Sequence, residues 1–190
     1  MPTPIAHSLA GIALFAARPD RRGRDLALLA TVLAAALAPD LDFVPGMLIG
    51  NADRFHHGPS HSLFAGLVGG VVLGALVARR AGWPTGRRYG LAFAVGYASH
   101  VVLDMFCIDT RPPFGVPLLW PFWDGYLASP VEVFLDIHRD RDTAAFVGSL
   151  FQLHNLKAVL WELVVMVTVV AAVGRWRRRR PAGRTVETEV

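Results

Sequence analysis

Long apolar runs alternate with short polar stretches along this chain. Five runs stand out: Ile5–Ala17, Leu26–Ala38, Leu63–Ala78, Tyr89–Phe106 and Leu156–Val173. The last three approach the ~20 residues a helix needs to cross a bilayer, whereas the first two, with about 13, reach across roughly two thirds of a ~30 Å hydrocarbon core. The pattern predicts an all-α, multi-pass membrane bundle of about five apolar helices, the two short ones supported by the three longer ones. Residues 1–174 form one membrane-embedded domain in this reading. Residues 107–154 make its longest outer loop region, and 175–190 a basic tail whose end, from Pro181, is expected to be disordered.

Composition agrees. With 53% hydrophobic and 18% charged residues and a mean hydropathy of +0.40, the chain is too apolar for an ordinary soluble domain. One cysteine, Cys107, excludes an internal disulfide and any thiolate-rich metal site, so ligands must come from the seven histidines and the carboxylates. The net charge of +4 reflects arginines gathered in three clusters: 18–24, 79–88 and the tail after Val173. Alternating crossings put all three on one side, which the positive-inside rule makes cytoplasmic, with the amino terminus outside. The tail Arg175-Trp-Arg-Arg-Arg-Arg180 then pins the last helix and attracts anionic lipid headgroups; a charge run alone does not imply nucleic acid. No basic residue precedes the first apolar run and four arginines follow it, so Met1 is read as the mature start rather than a cleaved leader.

The same topology carries the chemistry to one end. His7 opens the first helix, Pro39-Asp-Leu-Asp42 closes the second, His56 to His61 lead into the third with Ser60 as its N-cap, and His100 and Asp104 end the fourth. All fall at the outward face. His100 and Asp104, four apart, share one helix face and close on one point. The set His7, Asp40, Asp42, His56, His57, His61, His100 and Asp104 lacks thiolate and suits zinc, with manganese as the alternative; it exceeds what one tetrahedral ion needs, so one or two ions are expected. Asp40 or Asp42 is the expected base or bridging ligand. Glu162, set among apolar neighbours, is expected to face the bundle as a ligand or a support to one. In the outer segment, Trp120, Phe122 and Trp123 suggest both an interfacial belt and a lip for an amphiphilic substrate, and Ser129–Arg141 a short amphipathic helix with Val131, Phe134 and Leu135 against the body. Gly66, Gly70 and Gly74 form a small-residue stripe suited to close packing inside the monomer.

Four ordered motifs, Pro39-Asp-Leu-Asp42, His56-His-Gly-Pro-Ser-His-Ser62, Gly96-Tyr-Ala-Ser-His-Val-Val-Leu-Asp104 and Gly115-Val-Pro-Leu-Leu-Trp-Pro-Phe122, resemble those of the YdjM-type inner-membrane metal-dependent hydrolases. The resemblance implies a multi-pass protein of the bacterial inner membrane, with kinship to zinc-dependent phospholipase C and the P1-type nucleases; the outward face expected from the arginine clusters is then the periplasmic side. It implies His7, Asp40, His61, His100 and Asp104 as ligands or their neighbours, Asp42 as the second acid, and a phosphoester substrate cut by activated water. Two departures stand out. His57 occupies the arginine position of a His-Arg-Gly-x-Thr-His pattern, and a later His-x-x-x-Glu pair is missing, leaving Glu162, His138 or His154 as substitutes.

Two rivals remain. A non-catalytic membrane protein with a structural or regulatory metal would use the same ligands, while ion transport is disfavoured because the helix middles, Glu162 apart, are apolar. A vanadium-haloperoxidase-like lipid phosphatase needs an arginine where this chain has Ala94.

Overall fold

The computed structural model describes residues 1–18 and 25–179. Among these residues every regular element is helical, and the only extended pairing is three isolated bridges. Helix α1 (Pro4–Ala17) starts where the Thr3 hydroxyl accepts the Ile5 N–H and Pro4 supplies a preset backbone angle. Helix α2 (Leu26–Leu37) is capped by Asp25, which accepts the Leu28 N–H at 2.9 Å. Pro39 lacks the N–H that would continue α2, so the chain turns through a 3-10 segment (Pro39–Asp42) into α3 (Phe43–Leu48). The two halves of this broken element meet at 50°.

Helix α4 (Leu63–Ala81) is capped by Ser62, not by Ser60 as its sequence context suggested: the Ser62 hydroxyl accepts the Ala65 N–H at 3.1 Å. Gly82, at φ 80°, ends it and opens α5 (Trp83–Met105). After a long irregular segment come α6 (Thr143–Ser149), capped by Asp142, and α7 (Leu153–Arg179). Helices thus occupy all five apolar runs. Two of them, α4 and α7, are long and apolar enough to cross a membrane, and the bent α2/α3 pair makes a third if it is one span. Helix α5 is not among them; it carries Arg87, Arg88, His100 and Asp104.

Helix α5 packs against α4, α2 and α1, and α1 lies between α2 and α7. The glycine stripe is what lets α4 and α5 touch. A Cβ added at Gly70 would lie 2.7 Å from the Gly90 carbonyl oxygen, and one at Gly90 2.6 Å from the Gly70 carbonyl oxygen. The stripe is consumed inside the monomer. Away from these contacts Leu67, Val71 and Val72 of α4 and Val164 and Val167 of α7 lie exposed, as helices facing lipid require.

One end of the bundle is basic. Arg88 pairs with Asp25 at 3.0 Å, tying the start of α5 to the start of α2, and the Arg177 guanidinium donates to the Arg18 carbonyl, tying the end of α7 to the end of α1. The arginines at 21, 22, 24, 180 and 184 and the expected disorder after Pro181 lie outside the described residues.

No helix forms over Ser129–Arg141. Pro130 interrupts it, and the backbone pairs sideways with the end of α5 instead: Val133 and Phe134 donate to the Phe106 carbonyl at 2.7 and 3.0 Å, and Ile108 donates back to Phe134 at 2.9 Å. Phe134 is buried as expected; Val131 faces out.

Candidate metal centre

Opposite the basic end, four parts of the chain converge on a buried polar cluster. Helix α1 brings His7, the break after α2 brings Asp40 and Asp42, the loop before α4 brings His56, His57 and His61, and the last turn of α5 brings His100 and Asp104. His7, His61 and His100 are completely shielded, and Asp104 nearly so. For two residues of the cluster the local cause is plain. The Pro39 break swings Asp40 towards α5, and His57, at φ 56°, takes a left-handed conformation that non-glycine residues seldom adopt, which turns its ring inward.

The distances describe a chain of donors around Asp104 and Asp40. Asp104 lies 3.4 Å from His7 Nε2 through one oxygen, and 3.1 and 3.4 Å from His100 and His61 Nε2 through the other. Asp40 Oδ1 lies 3.5 Å from His100 Nε2 and 3.8 Å from His61 Nε2. The rings of His7 and His100 stack with centroids 3.7 Å apart. Three sets of donor atoms are close enough to share an ion: His7, His100 and Asp104; Asp40, His61 and His100; and His56, His57 and His61.

These residues fit a metal by a test independent of proximity. Both oxygens of Asp40 and of Asp104, both ring nitrogens of His7, and Nε2 of His56 and of His57 are buried without a hydrogen-bond partner. So many unpartnered polar atoms in one place, most of them acceptors, are costly unless a cation satisfies them. The engaged nitrogens point the same way. His100 Nδ1 donates to the Ala36 carbonyl at 2.8 Å, and His61 Nδ1 lies 3.1 Å from Asp42. Such partners fix the tautomer that leaves Nε2 as a lone pair aimed into the cluster.

Asp42 belongs to none of the three donor sets and contacts their rings from behind. It holds His56 and His61 through Nδ1, each at 3.1 Å, and accepts the Ser60 hydroxyl at 2.8 Å. Burial, reinforced by the neighbouring rings, drops the His57 pKa to about 3 and puts His56 well below its ordinary value, so both rings are neutral. Burial would lower His61 as well, but the Asp40, Asp42 and Asp104 carboxylates outweigh it and raise that ring to about 9. In the absence of an ion, a proton fills its place at His61.

Beside the cluster opens a cavity of about 460 Å³. His56, His57, Arg54, Arg111, Arg139 and Arg141 all line its wall. Asp53 faces three of these arginines, at 2.8 Å from Arg139, 3.5 Å from Arg111 and 3.9 Å from Arg141. The expected lip does not line it. Trp120 and Phe122 lean on Phe64 at the start of α4, Phe122 and Trp123 are exposed, and Tyr126 is the aromatic residue of that segment in the cavity wall.

Glu162 is buried but stands apart from the three donor sets. Thr3 donates to it twice, from its N–H at 2.9 Å and from its hydroxyl, so the carboxylate fastens the start of α1 to α7. His138 and His154 do not join the cluster either; they meet Asp136 elsewhere. Sequence reasoning missed the supporting groups: the Ser60 hydroxyl, the Ala36 carbonyl, and Tyr97, whose hydroxyl donates to the Ser60 carbonyl at 2.6 Å. Ser60 and Tyr97 lie inside the ordered motifs and so carried a signal; the Ala36 carbonyl, a backbone group, carried none.

A family model described as YdjM inner membrane protein matches residues 1–180. No curated protein and no solved structure matches the chain.

Proposed function

The chain belongs to the YdjM inner membrane protein family, and from that premise we propose that it is a membrane-bound, metal-dependent hydrolase of phosphoesters. The observation that carries this reading is the set of orphaned, buried His and Asp donors set beside an arginine-lined cavity. His7, Asp40, His61, His100 and Asp104 would hold the ion or ions, with His56 and His57 as further donors; zinc suits the set best, with manganese as the alternative. When bound, such an ion supplies Lewis acidity to a phosphoryl oxygen and makes water easier to deprotonate.

The rest of the work belongs to the chain. Arg54, Arg111, Arg139 and Arg141 orient an anionic phosphoester in the cavity, a task for which guanidinium geometry is suited. Asp40, whose two oxygens carry no hydrogen bond, takes the proton from the attacking water through an oxygen the ion leaves free, while Asp42 and Ser60 keep the rings of His56 and His61 in register. The resemblance to zinc-dependent phospholipase C and the P1-type nucleases belongs to this reading, as does an amphiphilic, lipid-like substrate. So does orientation: the basic end on the cytoplasmic side and the metal centre facing the periplasm.

The test is hydrolysis of a panel of phosphodiesters and phospholipids by detergent-purified protein, chelator-stripped and then reloaded with zinc or manganese. Activity that disappears on stripping and returns on reloading supports the proposal. Hydrolysis that persists in stripped protein, or its absence from fully loaded protein across the panel, overturns it.

A further inference from the structure

A second group of donors lies outside the centre described above. Asp136 and His138 sit on the extended segment before α6, and His154 is the second residue of α7. His138 Nε2 lies 3.2 Å from Asp136 Oδ2, and His154 Nε2 lies 3.0 Å from both Asp136 Oδ1 and the Asp136 carbonyl oxygen. One ligand atom from each of the three side chains falls within 4.8 Å of the others.

We propose that Asp136, His138 and His154 form a second, independent site for a divalent transition-metal ion of the zinc class. Two imidazoles and one carboxylate are a donor set that binds such ions while leaving coordination positions free, and the Asp136 carbonyl is a fourth oxygen in reach. Three further features favour an ion over a plain hydrogen-bonded triad. The two rings stack face to face, with centroids 3.8 Å apart and planes 7° from parallel, and both aim Nε2 at one carboxylate. Both rings thus present the same nitrogen to one point, the arrangement of two ligands on a single cation.

The surroundings also hold the donors in place before any ion arrives. Thr110 donates to Asp136 Oδ2 at 3.0 Å, the kind of support that orients a ligating carboxylate. Asn155 receives the His138 N–H at 2.8 Å and donates to the His138 carbonyl at 2.6 Å, fixing that residue's backbone against the start of α7. Finally, the site is reachable: His138 is 47% and His154 35% exposed, so an ion enters from water without opening the bundle.

The site would clamp the segment carrying Asp136 and Arg139 to α7. Both residues line the cavity beside the first centre, so the second ion would stiffen that part of its wall.

The experiment compares metal content of the detergent-purified full chain with that of His138→Ala and His154→Ala after equilibration with zinc and removal of loose ion. Cobalt loading gives a second readout through its visible absorption, and circular dichroism confirms that the helices persist. The proposal expects each variant to hold one equivalent fewer than the unaltered chain, with a matching loss in the cobalt spectrum. Equal stoichiometry in the unaltered chain and folded His138→Ala overturns it; because that side chain is half-exposed, the variant is expected to fold. The proposed hydrolase activity enters neither readout, so failure of one reading is distinguishable from failure of the other.

Discussion

His61 Nε2 and His100 Nε2 face each other across 3.3 Å, each with its Nδ1 already engaged, by Asp42 and by the Ala36 carbonyl. Two lone pairs cannot rest against each other in a buried place without something positive between or beside them. A proton serves in the metal-free protein, and a bound metal ion would replace it. His100→Ala removes one side of the pair and a donor shared by two of the sets. The expected result is metal binding at the first centre weakened by more than tenfold, measured by competition with a chelator of known affinity.

Protons and metal compete for His61, and the sign of the pH dependence follows. Its folded pKa, about 9, lies above the ordinary 6.5, so protonation stabilises the metal-free fold fully below pH 6.5. That contribution is lost as pH rises through 9. Metal affinity should move oppositely, strengthening by roughly tenfold per pH unit between 7 and 9 as the displaced proton becomes easier to lose, then levelling. Chelator competition and thermal unfolding of metal-free protein across that range check both halves.

Asp40 and Asp42, alike in the sequence, should separate in experiment. Asp42 has its oxygens occupied by two rings and a hydroxyl, and Asp40 has none of its own occupied. Asp42→Asn is expected to retain metal at an affinity reduced by about 10- to 100-fold, the usual cost of losing an orienting carboxylate. Asp40→Asn removes a direct donor and the proposed base; residual hydrolysis in that variant at the unaltered rate would remove Asp40 from the mechanism.

Glu162→Gln distinguishes a fastening from a ligand. The change replaces a charged acceptor of both Thr3 donors by a neutral amide, losing the charge assistance of those bonds, about 1 kcal/mol. The unfolding temperature should drop by several degrees while metal per chain stays the same.

Close helix packing makes its own prediction. Gly70→Ala forces a Cβ to 2.7 Å from the Gly90 carbonyl oxygen, so α4 and α5 must part. Overpacking of this kind costs about 1–3 kcal/mol, read as a lower unfolding temperature in detergent with metal stoichiometry retained.

Much of the architecture is legible in the amino-acid sequence. Apolar runs locate helices because burial in lipid or in a bundle demands them, and the short polar motifs at their ends converge because consecutive helices run in alternate directions. His7, Asp40, Asp42, His56, His57, His61, His100 and Asp104 are therefore visible as a set. The division of labour within it is not: Asp42 differs from Asp40 only by two positions on a 3-10 turn, a displacement that no residue type announces. The segment 129–141 misleads because its apolar spacing resembles a helix, while its real partners lie at the end of α5, around Phe106, distant in sequence. The Asp136, His138 and His154 group escapes notice as a group for the same reason. Its third member comes from another element.

The bend at Pro39 ends by setting a chemical identity. It leaves the Ala36 carbonyl in the unpaired last turn of α2, and His100 Nδ1 takes it. The placement of one helix's end against another's flank thereby chooses which nitrogen of a buried imidazole is nucleophilic. A change that merely slid α2 along α5, touching no donor, would reach the centre as a switched tautomer.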